Sequence, residues 1–92
     1  MSQTIWKYQL QVTTDLKLPA GSRVLSVGNQ EERVVLWAMI DPKSSKIRTR
    51  RFRIYLTGEE FNGDPGIFIG TVQLKDQMDE TKQFVCHVFE TL

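Results

Sequence analysis

Lys46, Arg48, Arg50, Arg51 and Arg53 place five cations within eight positions. Guanidinium groups at that density can form charge-assisted, often bidentate hydrogen bonds with phosphate or carboxylate oxygens. Tyr55, just beyond them, and Tyr8 or Trp6 offer flat surfaces on which a base could stack. The segment ends in Phe52, Ile54 and Leu56 at spacing two, so it reads as a β-strand and not as a flexible tail. Because a strand turns alternate side chains to opposite faces, Arg51 and Arg53 share one face, while Lys46, Arg48 and Arg50 share the other with Phe52 and Ile54. The candidate contacts for a ligand or partner are Arg48, Arg50, Arg51, Arg53 and Tyr55. A competing reading has the arginines paired with Glu59, Glu60, Asp76 or Glu90 on neighbouring segments, their stems lying over apolar surface, each exposed pair contributing about 0–1 kcal/mol. Arg50 stacked on Trp37 across the sheet is a further contact of this kind. The division of the arginines between two faces counts against a single phosphate track.

Catalytic signatures are missing from the rest of the chain. His87 is the single histidine, and Cys86 beside it points to the opposite strand face, so a conventional zinc site fails on ligand count. His87 also lacks an evident nucleophile to activate and reads as a packed or edge side chain. Ser44 and Ser45 follow Pro42 in a turn with no base in view. Gly63-Asp64-Pro65-Gly66 lacks the lysine and following helix of a phosphate loop. Glu59, Glu60 and Asp64 lack the spacing of a calcium loop. The sequence implies no metal, no cofactor and no enzyme.

Period two dominates the elements that must carry these side chains. Trp6, Tyr8, Leu10 and Val12 alternate with Lys7, Gln9 and Gln11, which predicts a strand over Ile5 to Val12 with one wet face. Residues 13–22 mix turn formers with Leu16 and Leu18 and read as a long loop pinned to the core. A short strand over Arg23 to Val27 follows, then a polar connection, residues 28–32, in which Gly28 and Asn29 supply positive φ. The apolar run Arg33 to Ile40 fits a central strand buried on both faces, ended by Asp41-Pro42. The basic strand spans Ile47 to Thr57. Residues 58–66 are the densest loop signal. Strands over Ile67 to Leu74, with Gly70 marking a bulge or bend, and over Gln83 to Glu90 complete the set. Apart from a turn around Asp76 to Thr81, no helix is expected. The fold class is all-β: about six mostly antiparallel strands in a bent sheet or small barrel. The expected core is Trp6, Tyr8, Leu10, Leu25, Val27, Leu36, Trp37, Phe52, Ile54, Ile69, Val72 and Val88.

Composition bounds what remains. A chain of 92 residues, 40% hydrophobic and 25% charged, has room for one domain, residues 1–92, with one modest core. The formal net charge of +1 conceals a dipole. Residues 41–53 carry six cations against Asp41, whereas residues 57–92 carry seven acids against Lys75 and Lys82, so near-neutrality leaves an anionic partner open. The lone Cys86, flanked by Phe84, Val85 and Val88, reads as a small buried side chain. No apolar run approaches the roughly 18 residues of a membrane span, and Met-Ser-Gln-Thr-Ile-Trp lacks a signal peptide's basic and apolar regions. The expected location is the cytoplasm, with no membrane partner.

Several short motifs stand in order along nearly the whole chain: Ile5-Trp6-Lys7-Tyr8, Leu18-Pro19-Ala20-Gly21, Leu25-Ser26-Val27, Leu36-Trp37-Ala38, Asp41-Pro42, Arg51-Phe52-Arg53-Ile54-Tyr55, Thr57-Gly58, Phe68 to Gln73, and Val85 to Glu90. Together they resemble a family of small proteins of unknown function common in phage and prophage genomes, with the match loosening at residues 77–82. The resemblance implies a viral, bacteriophage origin, hence host cytoplasm, and a stand-alone all-β domain; it brings no activity or site residue with it. Three functional expectations follow. The first is a non-enzymatic interaction protein that inhibits a host factor, in host defence for example, or sequesters a nucleotide-like, phosphate-bearing signal molecule, where a homo-oligomer would gather arginines from several copies. The second is single-stranded nucleic-acid binding along residues 46–53, with affinity falling steeply as salt rises. The last is an enzyme dependent on His87.

Overall fold

The computed structural model describes residues 2–92, and these form seven strands with no helix among them. The strands are β1 (Thr4–Gln9), β2 (Thr13–Pro19), β3 (Arg23–Gln30), β4 (Arg33–Ile40), β5 (Ile47–Leu56), β6 (Ile67–Lys75) and β7 (Gln83–Glu90). They make two antiparallel sheets, one ordered β1-β4-β3 and the other β2-β5-β7-β6. Val34, Leu36, Ala38 and Ile40, on one face of β4, join Leu10 and the inward residues Phe52, Ile54, Val72, Cys86 and Val88 of the second sheet in a single buried cluster. Full burial of a large apolar side chain contributes roughly 1.5–3 kcal/mol, so this cluster, and not the surface ion pairs, drives the packing of the two sheets. The molecule is flat, 46 × 31 × 15 Å, and its radius of gyration of 14.3 Å exceeds the roughly 12 Å typical of this length.

β4 is the central strand that its unbroken apolar run predicts. Its second face is covered too: Val35 is buried and Trp37 and Met39 are half-buried. The Trp37 ring lies against the backbone of Gly28, where an added Cβ would come within 2.9 Å of the indole. Gly28 is therefore a packing glycine inside β3, not the turn residue expected from the sequence. The turn itself is Glu31-Glu32, a two-residue link between Gln30 and Arg33 in which both glutamates have positive φ, 54° and 59°. Left-handed backbone at two consecutive non-glycine residues is costly and persists only where neighbours enforce it. Asn29 is the enforcing group. Its Oδ1 accepts the Glu32 N–H at 2.9 Å, and its Nδ2 donates to the Gln73 carbonyl at 3.0 Å. Glu32 Oε2 in turn accepts the Lys75 N–H. The hairpin tip thus clasps the outer edge of β6.

Residues 13–22, expected as a loop, contain β2, which pairs with β5 from Thr13↔Arg53 to Pro19↔Ile47. Thr13 and Thr14 favour extended backbone, and Leu16 and Leu18 alternate with Asp15 and Lys17, so the period-two signal was present in a stretch dominated by turn formers. The expected core also needs amendment. Leu10, Leu36, Phe52, Ile54, Val72 and Val88 are buried, and Tyr8, Val27 and Ile69 pack against them. Trp6 and Leu25, however, are 45% and 40% exposed, because both lie on sheet-edge strands that nothing covers fully. Leu18, Ile40 and Cys86 take their place in the interior. The irregularity expected at Gly70 is present as a register shift between Phe68 and Gly70.

Candidate functional site

The faces assigned to the basic segment are those the strand adopts. Along β5, Phe52 and Ile54 point into the core, and Arg50 points the same way, at the margin of the interface between sheets. Its Nε and Nη2 each donate to a Glu90 carboxylate oxygen at 2.7 Å, and its Nη1 donates to the Ser22 carbonyl at 2.7 Å. The side chains of Arg50 and Glu90 are only 25% and 14% exposed. The paired carboxylate raises the affinity of Arg50 for its proton, against the opposing effect of partial burial. This arginine belongs to the architecture. It ties β5 to β7 and to the β2–β3 connection, and it does not stack on Trp37.

Arg51, Arg53 and Tyr55 emerge together on the outer face of the four-stranded sheet. Arg51 donates from Nε to Asp15 Oδ1 at 2.7 Å and from Nη2 to Oδ2 at 3.2 Å. Hydrogen bonding from Arg51 is the chief reason that the Asp15 carboxyl is held below its ordinary range. Arg53 donates to Glu59 at 2.8 Å and to the Ile54 carbonyl, with its guanidinium carbon 4.5 Å from the centre of the Tyr55 ring. Arg48 is exposed near the far end of β5, on the opposite side of the strand from Arg51 and Arg53, and makes no ion pair among the described residues. The five candidate residues therefore separate: three gather on one face, Arg50 is committed internally, and Arg48 stands apart.

An aromatic row surrounds the gathered three, and only its Tyr55 was foreseen from the sequence. Phe61, from the β5–β6 loop, lies 4.5 Å from Tyr55 between ring centres; Tyr55 lies 5.8 Å from Phe89, edge to face; Phe89 lies 5.4 Å from Phe68. Phe61 and Phe68 are 48% and 55% exposed. Cross-strand pairing of Arg53 with Phe89, and of Phe89 with Phe68, builds the row across β5, β7 and β6. The period-two pattern identified each strand but not its neighbour, so the row could not be assembled from sequence. His87 lies on the same face, with Nε2 at 2.8 Å from the Thr57 hydroxyl and Nδ1 at 3.0 Å from that of Thr71. Both ring nitrogens thus meet hydroxyls of the flanking strands. Cys86 is buried, and burial raises its thiol pKa, which disfavours the reactive thiolate.

Two hollows flank these features. One, about 330 Å³, lies beside Asp15, Arg50, Arg51 and Glu90. The other, about 390 Å³, opens where the β1–β2 and β3–β4 turns meet the end of the core, with Leu10, Val34, Ile54, Leu56, Phe84 and Cys86 among its lining residues. Among the described residues, no cluster of three potential metal ligands exists, and no helix is long and apolar enough to cross a membrane.

No curated protein and no solved structure matches the chain. A family model matches it over residues 1–92, and by that match the chain belongs to the family described as a domain of unknown function (DUF7352).

Proposed function

We propose that this is a non-enzymatic binding protein whose recognition surface is the outer face of the four-stranded sheet, and that it engages a host protein through an acidic patch bordered by apolar side chains. The observation that supports this reading is the row Phe61, Tyr55, Phe89 and Phe68, exposed at its ends Phe61 and Phe68 and half-buried between them, with the Arg53 guanidinium stacked on Tyr55. Exposed aromatics beside arginines are the residue types that dominate binding energy at protein interfaces. The Arg51–Asp15 pair on this face is exposed, so a partner's carboxylate or phosphate can replace Asp15 at little cost, while the partly buried Arg53–Glu59 pair holds Arg53 against Tyr55. In the phage or prophage setting that the sequence resemblance implies, the role is counter-defence in the host cytoplasm: inhibition of a host factor, or capture of a phosphate-bearing signal molecule.

Affinity capture from host lysate, with mass spectrometry of proteins and small molecules, tests this reading. Phe68→Ser combined with Arg53→Glu leaves the buried cluster untouched and should abolish capture of any specific partner. Retention of the same partners by that variant overturns the assignment of this face. Single-stranded nucleic acid is the competing ligand. Affinity for an oligonucleotide that falls steeply with salt and depends on Arg48 would move the site to the basic strand as a whole.

A further inference from the structure

The four sheet edges are treated very differently. Beyond its pairing with β4, β3 lies alongside β6, and two outward groups near the end of β6, the Gln73 carbonyl and the Lys75 N–H, are taken by Asn29 and Glu32. On β2, Ile54 N–H donates to the Val12 carbonyl. Hydrogen-bonded pairs alternate along an antiparallel ladder, so the residues of β2 whose backbone faces outward are Thr13, Asp15, Lys17 and Pro19. Two charges and a residue without an N–H guard that edge. β1 carries a single charge, Lys7, at such a position and no proline. Leu10 N–H donates to the Val34 carbonyl, so by the same alternation Thr4, Trp6 and Tyr8 direct their backbone groups to β4, while those of Ile5, Lys7 and Gln9 face outward. No backbone partner takes those outward groups among the described residues. The edge is also apolar on both faces, with Ile5 57% and Trp6 45% exposed.

Unpaired N–H and C=O groups in a row are recognised by another extended strand. We infer that the occupant is β1 of a second copy, paired antiparallel about a two-fold axis at Trp6, so that two three-stranded sheets become one six-stranded sheet. Hydrogen-bond phase admits any two-fold centred on a residue, and strand overlap and charge select Trp6 among them. Centring on Lys7 would set two lysines directly opposite each other, which is destabilising. Centring on Trp6 makes Ile5 and Lys7 of opposite copies hydrogen-bonded partners, using outward groups on both sides. The two Trp6 residues then meet at the closer, non-hydrogen-bonded position, where aromatic pairs contribute most. This contact is independent of the outer face of the other sheet.

Sedimentation equilibrium across a concentration series tests the pairing. The wild type should approach twice the 10.7 kDa chain mass, and Ile5→Pro should fall to one chain with unchanged circular dichroism, since it deletes an outward N–H and spares the β4 ladder. Lys17→Pro, at an outward position of β2, should remain dimeric. Mild oxidation should cross-link Trp6→Cys, because Cα atoms at non-hydrogen-bonded pairs lie at disulfide distance, and should leave Lys7→Cys uncross-linked. A monomeric wild type, a dimer that survives Ile5→Pro, or cross-linking of Lys7→Cys in place of Trp6→Cys overturns the proposal.

Discussion

Arg50 and Arg51 are adjacent in sequence, and each grips a carboxylate through two hydrogen bonds, yet one pair is structure and the other is surface. Arg50–Glu90 sits at the seam between the sheets with a third bond to the Ser22 carbonyl, whereas in Arg51–Asp15 the two side chains are 59% and 47% exposed. The strand pleat alone makes this division. Identical chemistry thus yields a rivet on one side and, on the other, a contact that a partner can displace. Counting arginines in a basic segment says little about recognition until the side of the strand is known.

The contrast can be broken at its inner member with the largest effect. Glu90→Ala leaves the Arg50 guanidinium in a partly desolvated site without its carboxylate and should lower unfolding stability by about 2–3 kcal/mol, measured by urea denaturation. Adding Arg50→Met to Glu90→Leu should recover most of the loss, since an apolar pair of similar volume carries no desolvation cost. Arg53 is intermediate. Arg53→Met forfeits the Glu59 bond and the stacking on Tyr55 and should cost about 1 kcal/mol by the same measurement. The outer pair sharpens the comparison with the smallest effect. Arg51→Gln should lower the denaturation midpoint at neutral pH only slightly, because the pair is exposed. The Asp15 carboxyl, lowered chiefly by its hydrogen bond from Arg51, supplies stability that is complete above its ordinary value of 3.8 and is lost as pH falls through the lower folded value. In Arg51→Gln, the Asp15 carboxyl should titrate closer to 3.8 by NMR, and the acid limb attributable to this pair should vanish.

Alternation in sequence was sufficient for the β5 faces, the central position of β4, the irregularity at Gly70 and the burial of Cys86, because each depends on local pattern. What depends on strand order was hidden. Asp15 could not be recognised as the partner of Arg51 while residues 13–22 read as a loop, and Phe61, Phe68 and Phe89 converge only after β5, β7 and β6 are laid side by side. Trp6 has the alternation of a buried residue, but its strand is an edge, and edges are a property of the assembled sheet. Glu31 and Glu32 are unusual turn residues, selected by what Asn29 and the flank of β6 hold in place.

The side-chain plug that Asn29 and Glu32 set into β6 has a consequence for stoichiometry. A filament needs two complementary borders on every subunit, one to receive and one to offer. With the end of this border stoppered and that of β2 defended by charge and proline, neither border of the four-stranded sheet invites a further strand, so a pair joined through its first strands would resist growth along that sheet.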